Sequence, residues 1–228
     1  MVDPSLPGAE TARHPGHPAW VAARPVRALP LLPTLLLNVW GLTHYPRGNV
    51  HMVVPDRLYR SAWLPPKKLR ALVRRHQIRT VVSLMGGDDG DPWFVEEAAA
   101  CAGEGATLEA ARLSTRRLPR PPELEHLVRV LTAAEGPLLL HCRSGADRTG
   151  FATALFLHLV LHQSLDAAIR AALSWRYGHF PHRARALKRF FDLYRTSNGS
   201  PDLATWVHCS YAEVYSRHRR GVGSAKEL

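Results

Sequence analysis

One cysteine and one arginine, Cys142 and Arg148, bracket five residues in the run His141-Cys142-Arg143-Ser144-Gly145-Ala146-Asp147-Arg148-Thr149-Gly150. A thiol and a guanidinium at this spacing suit attack on a phosphate monoester, which needs a nucleophile, a cradle of donors and positive charge against a dianion. Curled tightly, the residues between them aim backbone N–H groups inward and form an anion nest at a helix N-terminus. Arg143, Ser144, Gly145 and Ala146 are the candidate cradle, and Gly145 permits the tight backbone. The same dipoles, with Arg148 nearby, favour Cys142 as a thiolate. The Arg148 fork can grip two equatorial oxygens, and more strongly as charge spreads in the transition state. Thr149 can donate its hydroxyl to the sulfur and ease its departure when water hydrolyses a phospho-cysteine intermediate. His141 is expected behind the loop, bonding backbone and fixing Cys142.

The elements that must position these residues read as an α/β domain: a central, mostly parallel sheet of four to five strands flanked by helices, with a helical C-terminal part. Asn49–Val54, Ile78–Met85, Ala106–Leu113 and Pro137–Leu140 read as strands, the last ending at His141. Pro65–Gln77, Pro92–Ala102 and a stretch opening at Pro121 read as helices, with proline tolerated in each first turn and Asp91 placed to cap the second. Thr149–His162 is almost continuously apolar and predicts a helix buried in the core. Ser164–Trp175, His182–Tyr194 and Pro201–Tyr215 predict three further helices. Before the domain, expected over 46–217, lies a proline-rich lead-in over 1–27 that reads as disordered. The apolar segment over 28–45 follows it. Its apolar run of about fifteen residues falls short of the roughly twenty that span a bilayer, so packing against the domain is the first reading and a membrane anchor the second. Residues 218–228 read as a tail.

Hydrophobic residues make up 46% and charged residues 21% of the 228, which excludes global disorder. The net charge of +11 suits an anionic partner. Its basic side is almost all arginine, however, with lysine only at positions 67, 68, 188 and 226, which compositional bias explains as well. No run pairs spaced basic residues with aromatics and no zinc-finger spacing occurs, so nucleic acid is not expected as a partner. Cys101, Cys142 and Cys209 are too few and scattered for a disulfide framework and point to a reducing, cytoplasmic setting, or to the cytoplasmic face of a membrane if 28–45 is an anchor. Cys101 is read as an inert buried thiol, with a disulfide partner for oxidised Cys142 as the alternative. No cofactor or metal site is expected, and no feature speaks to oligomeric state.

His141, Cys142, Arg148, Thr149 and Gly150 resemble the signature of the protein-tyrosine and dual-specificity phosphatase superfamily. Leu58-Tyr59-Arg60-Ser61 resembles an element found upstream in its small atypical dual-specificity members, and the likeness runs more loosely over about residues 49–195. The resemblance implies a phosphatase fold, a phospho-cysteine intermediate and a phosphorylated protein as partner. Phosphotyrosine or mixed protein phosphate comes first, because lipid-directed members carry two basic residues in the loop and this chain has Arg143 but Ala146 at the second place; phosphoinositide or inositol phosphate is the alternative substrate, on the Asp147-Arg148-Thr149 run and the basic surface. A phosphate-binding module without turnover, and a rhodanese-like sulfurtransferase whose closing arginine would come one residue sooner, are further alternatives. Family members place an aspartate as proton donor on a loop before the cysteine, yet no Asp occurs between Leu108 and Leu140. The expected loop reads Ser114-Thr115-Arg116-Arg117-Leu118-Pro119, where Arg116 is a candidate substrate contact and a solvated basic loop the plainer reading. The first candidate for the acid is Asp147, in an arrangement resembling myotubularin and Sac phosphatases, with a bound dianion helping it keep its proton; its plainer reading is a structural carboxylate. Asp88, Asp89 and Asp91 come second, with turn and cap chemistry as their plainer reading. Trp175-Arg176-Tyr177-Gly178-His179-Phe180 is read as core packing, or as a wall of the pocket.

Overall fold

Leu138–Cys142, five buried residues in succession, form β5, the central strand of a five-stranded sheet of order β1-β2-β5-β3-β4. A strand covered on both faces reads as a continuous apolar run, which is what Leu138, Leu139 and Leu140 provide. The computed structural model describes residues 48–180, 182, 184–197 and 202–224. The lead-in 1–27 and the apolar segment 28–45 lie outside the described residues. Among the described residues no helix is long and apolar enough to cross a membrane.

β2 (Leu58–Ala62) and β3 (Thr80–Ser83) flank β5 in parallel, β4 (Thr107–Ala110) extends the sheet in parallel beside β3, and β1 (His51–Val54) pairs antiparallel with β2 at the other edge. All parallel strands therefore end at one edge of the sheet, where ligands bind in such folds. β2 has no counterpart among the expected strands. Arg60 and Ser61 inside it break the apolar pattern, although all five of its residues are buried.

Helices α1 (Pro66–His76) and α2 (Pro92–Ala102) cover one face of the sheet, over a core that includes Leu69, Val73, Ala100, Cys101 and, from β5, Leu139. The other face carries α3 (Pro121–Ala133), α4 (Asp147–Leu159) and α5 (Leu165–Ala172), then α6 (Arg185–Thr196), α7 (Leu203–Cys209) and α8 (Tyr211–Ser224). From Thr149 to Leu157 every residue of α4 is buried, as expected of a helix apolar all round. Gly150 allows α5 to approach it: a Cβ there would lie 2.5 Å from Leu173 Cδ2 and 3.0 Å from Ala172 O. The stretch expected as one helix over Pro201–Tyr215 is two, separated at Ser210, and α8 continues past the expected domain end at 217. The break turns Tyr211 into the core, where its ring meets Phe190 and Trp206 at 5.3 and 5.2 Å between centroids and its hydroxyl donates to Pro119 O at 2.7 Å. Asp91 stands at the start of α2 without a side-chain bond to that helix; its carboxylate accepts from the Asp88 amide at 3.3 Å instead.

Candidate active site

Cys142 ends β5, residues 143–146 turn, and α4 begins at Asp147. Gly145 makes the turn feasible. Its φ is +69°, and a Cβ would lie 2.6 Å from both Ala62 N and Ser61 C. Three carbonyls of the turn are tied to the surrounding scaffold. Ser144 O accepts from Asn49 Nδ2 at 2.9 Å, and Gly145 O and Ala146 O accept from Arg60 Nη2 at 2.9 and 3.1 Å. In a trans peptide the N–H points opposite to the C=O, so the amides of Gly145, Ala146 and Asp147 are turned the other way, into the loop. The nest is thus held largely from outside, by two side chains from distant parts of the chain, with Ala146 O also accepting from Gly150 N of α4 at 2.7 Å.

Arg60 is fully buried on β2. It lies on the same sheet face as Cys142, because it pairs with Leu140 as Ala62 pairs with Cys142. Its Nη1 donates to Ala172 O at 2.8 Å, at the end of α5, and its guanidinium lies 3.9 Å from the centroid of the Tyr177 ring. Burial lowers its pKa to about 10, opposed by Tyr177, Cys142 and Asp147, so it stays cationic at neutral pH. Asn49 Nδ2 also donates to Tyr177 O at 3.1 Å, clasping the turn Trp175–Tyr177 to the loop.

Burial pushes the Cys142 thiol up, but the Arg148 charge, the Thr149 hydroxyl and amide and the Ser144 amide outweigh it, so the thiol sits below its ordinary value. Thr149 Oγ1 is buried with no other polar partner among the described residues, and its hydroxyl is one of the groups that lower the thiol. Arg148 Nη1 donates to Leu84 O at 3.3 Å, at the end of β3, and this ties the guanidinium to the same sheet edge.

Arg143 is exposed and Ser144 and Ala146 join the turn, so these residues gather around Cys142 with Arg148 and Thr149. His141 does not line the nest. Its side chain is buried on the opposite face of the sheet, with Nε2 3.0 Å from Glu97 Oε1 of α2. Neither ring nitrogen reaches a well-aligned hydrogen bond, and its link to the neighbouring strand is its own carbonyl, which accepts from Leu84 N at 2.9 Å. Alternation along β5 puts it there, so the expected side-chain bond to backbone gives way to a buried pair with Glu97. In the basic loop Arg117 is committed to Glu123 by two contacts of 3.2 Å, whereas Arg116 is exposed. Asp147, in the first turn of α4, accepts from His179 Nδ1 at 2.7 Å in a largely buried pair. Asp88 and Asp89 are exposed, and Asp88 Oδ1 accepts from Gly90 N at 2.9 Å within its own turn. Cys101 lies across the sheet from Cys142, and burial pushes its thiol up to about 12, so it is placed as an inert thiol and not as a disulfide partner. Of the aromatic run, Tyr177 is buried against Arg60 and Trp175 is 81% exposed. Among the described residues no group of His, Cys, Asp or Glu could hold a metal ion.

Four side chains that shape this site receive no individual role from the sequence: Asn49, Glu97, Arg60 within the family-like element Leu58-Tyr59-Arg60-Ser61, and His179 within the aromatic run. Asn49 is the most visible in retrospect, since it follows Gly48 with both residues at positive φ, a bend that asparagine tolerates.

A family model described as a tyrosine phosphatase family matches residues 35–167, more than half of the chain. The chain belongs to the tyrosine phosphatase family. The dual specificity protein phosphatase TpbA of Pseudomonas aeruginosa strain UCBPP-PA14 is 34% identical over 134 residues, 57% of this chain and 56% of TpbA. The chain therefore spans about half the length of the curated relatives it matches. A crystal structure of P. aeruginosa TpbA superposes with a TM-score of 0.51 at 28% identity, covering 64% of this chain and 85% of that one. A cysteine-to-serine form of TpbA in complex with phosphotyrosine gives 0.50 at 27%, covering 63% and 83%. The tyrosine phosphatase fold expected from the sequence is the fold observed.

Proposed function

We propose that this member of the family hydrolyses phosphate monoesters through a phospho-cysteine intermediate on Cys142, acting on phosphotyrosine or on mixed protein phosphate. The observation that carries the proposal is the lowered thiol of Cys142 at the mouth of a turn whose amides are aimed inward. Cys142 Sγ attacks phosphorus while Arg148 holds the equatorial oxygens and the amides of Gly145, Ala146 and Asp147 receive the rest of the charge. Asp147 carries the proton to the leaving oxygen. It is the carboxyl group within the loop, whereas Asp88 and Asp89 are exposed and Asp91 holds an amide of its own turn. Thr149 donates to the departing sulfur in the second step. Arg143, exposed beside the nest, and Arg116 on the basic loop meet what surrounds the phosphate. The phosphotyrosine bound by TpbA supports an aryl phosphate as substrate.

Turnover of p-nitrophenyl phosphate by wild type and its loss in Cys142→Ser is the expected result. Equal release by both proteins, or by neither, would sink the proposal, and the second outcome would make the turn a phosphate-capturing module. Assay against phosphopeptides and phosphoinositides side by side then separates the substrate classes, with the phosphotyrosine peptide expected to be turned over fastest.

A further inference from the structure

Asp147 and His179 come from different elements, and their contact is one of three ties between the segment after α5 and the phosphate-binding turn. Asn49 clasps Tyr177 O to Ser144 O, Arg60 stacks on Tyr177 while it holds Gly145 O and Ala146 O, and His179 Nδ1 reaches Asp147 Oδ1 at 2.7 Å. The first two fix the backbone on either side. Gly178, with φ +77°, then brings His179 back toward the turn. The last tie falls on a side chain with a chemical role. Asp147 has cations on two sides, Arg148 next in sequence and the buried Arg60 beneath, with which it interacts electrostatically. A carboxylate left to itself would turn to a guanidinium and lose its aim.

We infer that His179 is a positioning residue for the proton donor: by occupying Oδ1 of Asp147 it reserves Oδ2 for the leaving group. This rests on the reading of Asp147 as the acid. In the first step the Sγ–P bond forms, the bond from phosphorus to the ester oxygen breaks, and the proton on Oδ2 passes to that oxygen. In the second, water oxygen bonds to phosphorus, the Sγ–P bond breaks with sulfur leaving as thiolate, and one water proton returns to Oδ2. Throughout, His179 keeps its hydrogen on Nδ1 and donates it to Oδ1, so no proton is gained or lost at the ring.

A tie that merely docked the segment would slow every substrate alike when cut. A tie that aims the acid matters most where the leaving oxygen needs its proton. The full chain is assayed for kcat/KM on phenyl phosphate, a poor leaving group, and p-nitrophenyl phosphate, a good one, as wild type, His179→Ala, His179→Asn and Asp147→Asn. Removing general-acid help costs a poor leaving group about 10²-fold or more, so Asp147→Asn should widen the ratio between the two esters by that order. His179→Ala should widen it by a smaller factor, about tenfold, because the acid is still present and only its aim is lost. His179→Asn, whose amide N–H can take the place of Nδ1–H, should return it toward wild type. A ratio unchanged by Asp147→Asn overturns the acid assignment and the inference with it. A ratio widened by Asp147→Asn but not by His179→Ala overturns the inference alone, as does an asparagine variant no better than alanine.

Discussion

Replacing Arg60 by methionine tests whether the nest is built by its own sequence or imposed by the scaffold. The side chain donates to the carbonyls of Gly145, Ala146 and Ala172 and stacks on Tyr177. Hydrogen bonds from a charged donor contribute about 1.5–3 kcal/mol each, and a desolvated cation–π contact about 2. Against this stands the cost of burying the guanidinium: lowering its pKa from 12.5 to about 10 corresponds to roughly 3 kcal/mol. Methionine fills most of the space but leaves the Gly145 and Ala172 carbonyls without their donor and Ala146 O with the Gly150 amide alone. The net loss should be about 3–5 kcal/mol, the range found when one partner of a buried charged contact is removed. For an m-value of about 2 kcal/mol/M, the urea midpoint should fall by about 1.5–2.5 M. With the Gly145 carbonyl released, the Ala146 amide on the same peptide loses its aim, and kcat/KM should drop by about 10²-fold, as when an oxyanion donor is removed. Arg60→Lys keeps the charge but cannot fork to both elements, and should recover part of the stability and little of the activity. A methionine variant that unfolds within about 0.5 M of wild type and keeps its rate within about threefold would refute the reasoning.

Iodoacetate alkylation of Cys142 should be half-maximal below the ordinary thiol value of 9.0, and Arg148→Met should move that midpoint up; a midpoint unmoved by the variant would contradict the assigned cause. The depressed thiol also adds stability that is present above its unfolded value and is lost as pH falls through the folded one. Cys101 works the other way, since its folded pKa is raised from 9.0 to about 12 and the unfolded chain loses that proton first. Stability should therefore decline with pH above the ordinary thiol value, and Cys101→Ala should flatten that decline by the linkage of a single proton in denaturant titrations across pH. Gly145→Ala combines a strained positive φ with backbone contacts of 2.6 Å and should cost about 2–4 kcal/mol, with loss of turnover; thermal unfolding and the aryl phosphate assay read both. Tyr211→Phe removes the donor to Pro119 O and should cost about 1–2 kcal/mol in urea unfolding, with turnover retained.

The local signals carried most of the fold. The leucines of β5, the prolines opening α1, α2 and α3, and the unbroken apolar character of α4 each specify an element through neighbours close in sequence, so the sheet and its helices were legible to within a few residues. β2 was not, because Arg60 inside a fully buried strand makes sense only once Gly145 O, Ala146 O and Ala172 O are in place, and these lie 85, 86 and 112 residues away. The division at Ser210 was hidden for a similar reason. No glycine or proline marks it, and what selects it is Tyr211 reaching Pro119. The turn between β5 and α4 was legible because its residues are contiguous from Cys142 to Thr149. What aims them comes from Asn49, Arg60 and His179, brought together by topology alone.

The displacement of His141 to the far face clarifies how the site manages charge. Strand alternation forces the two consecutive residues His141 and Cys142 onto opposite sides of the sheet, and each side settles its charge locally. Behind, Glu97 and His141 face one another as a buried pair. In front, the thiolate of Cys142 and the carboxylate of Asp147 stand against the cations Arg60 and Arg148. On the proposed function an arriving phosphate dianion adds charge to that side, and the proton assigned to Asp147 offsets part of it. On that proposal the charge that binds the substrate and the proton that releases the leaving group are linked through the same few side chains, and Asp147 takes the part for which the preceding loop, with Arg116 and Arg117, has no carboxyl group.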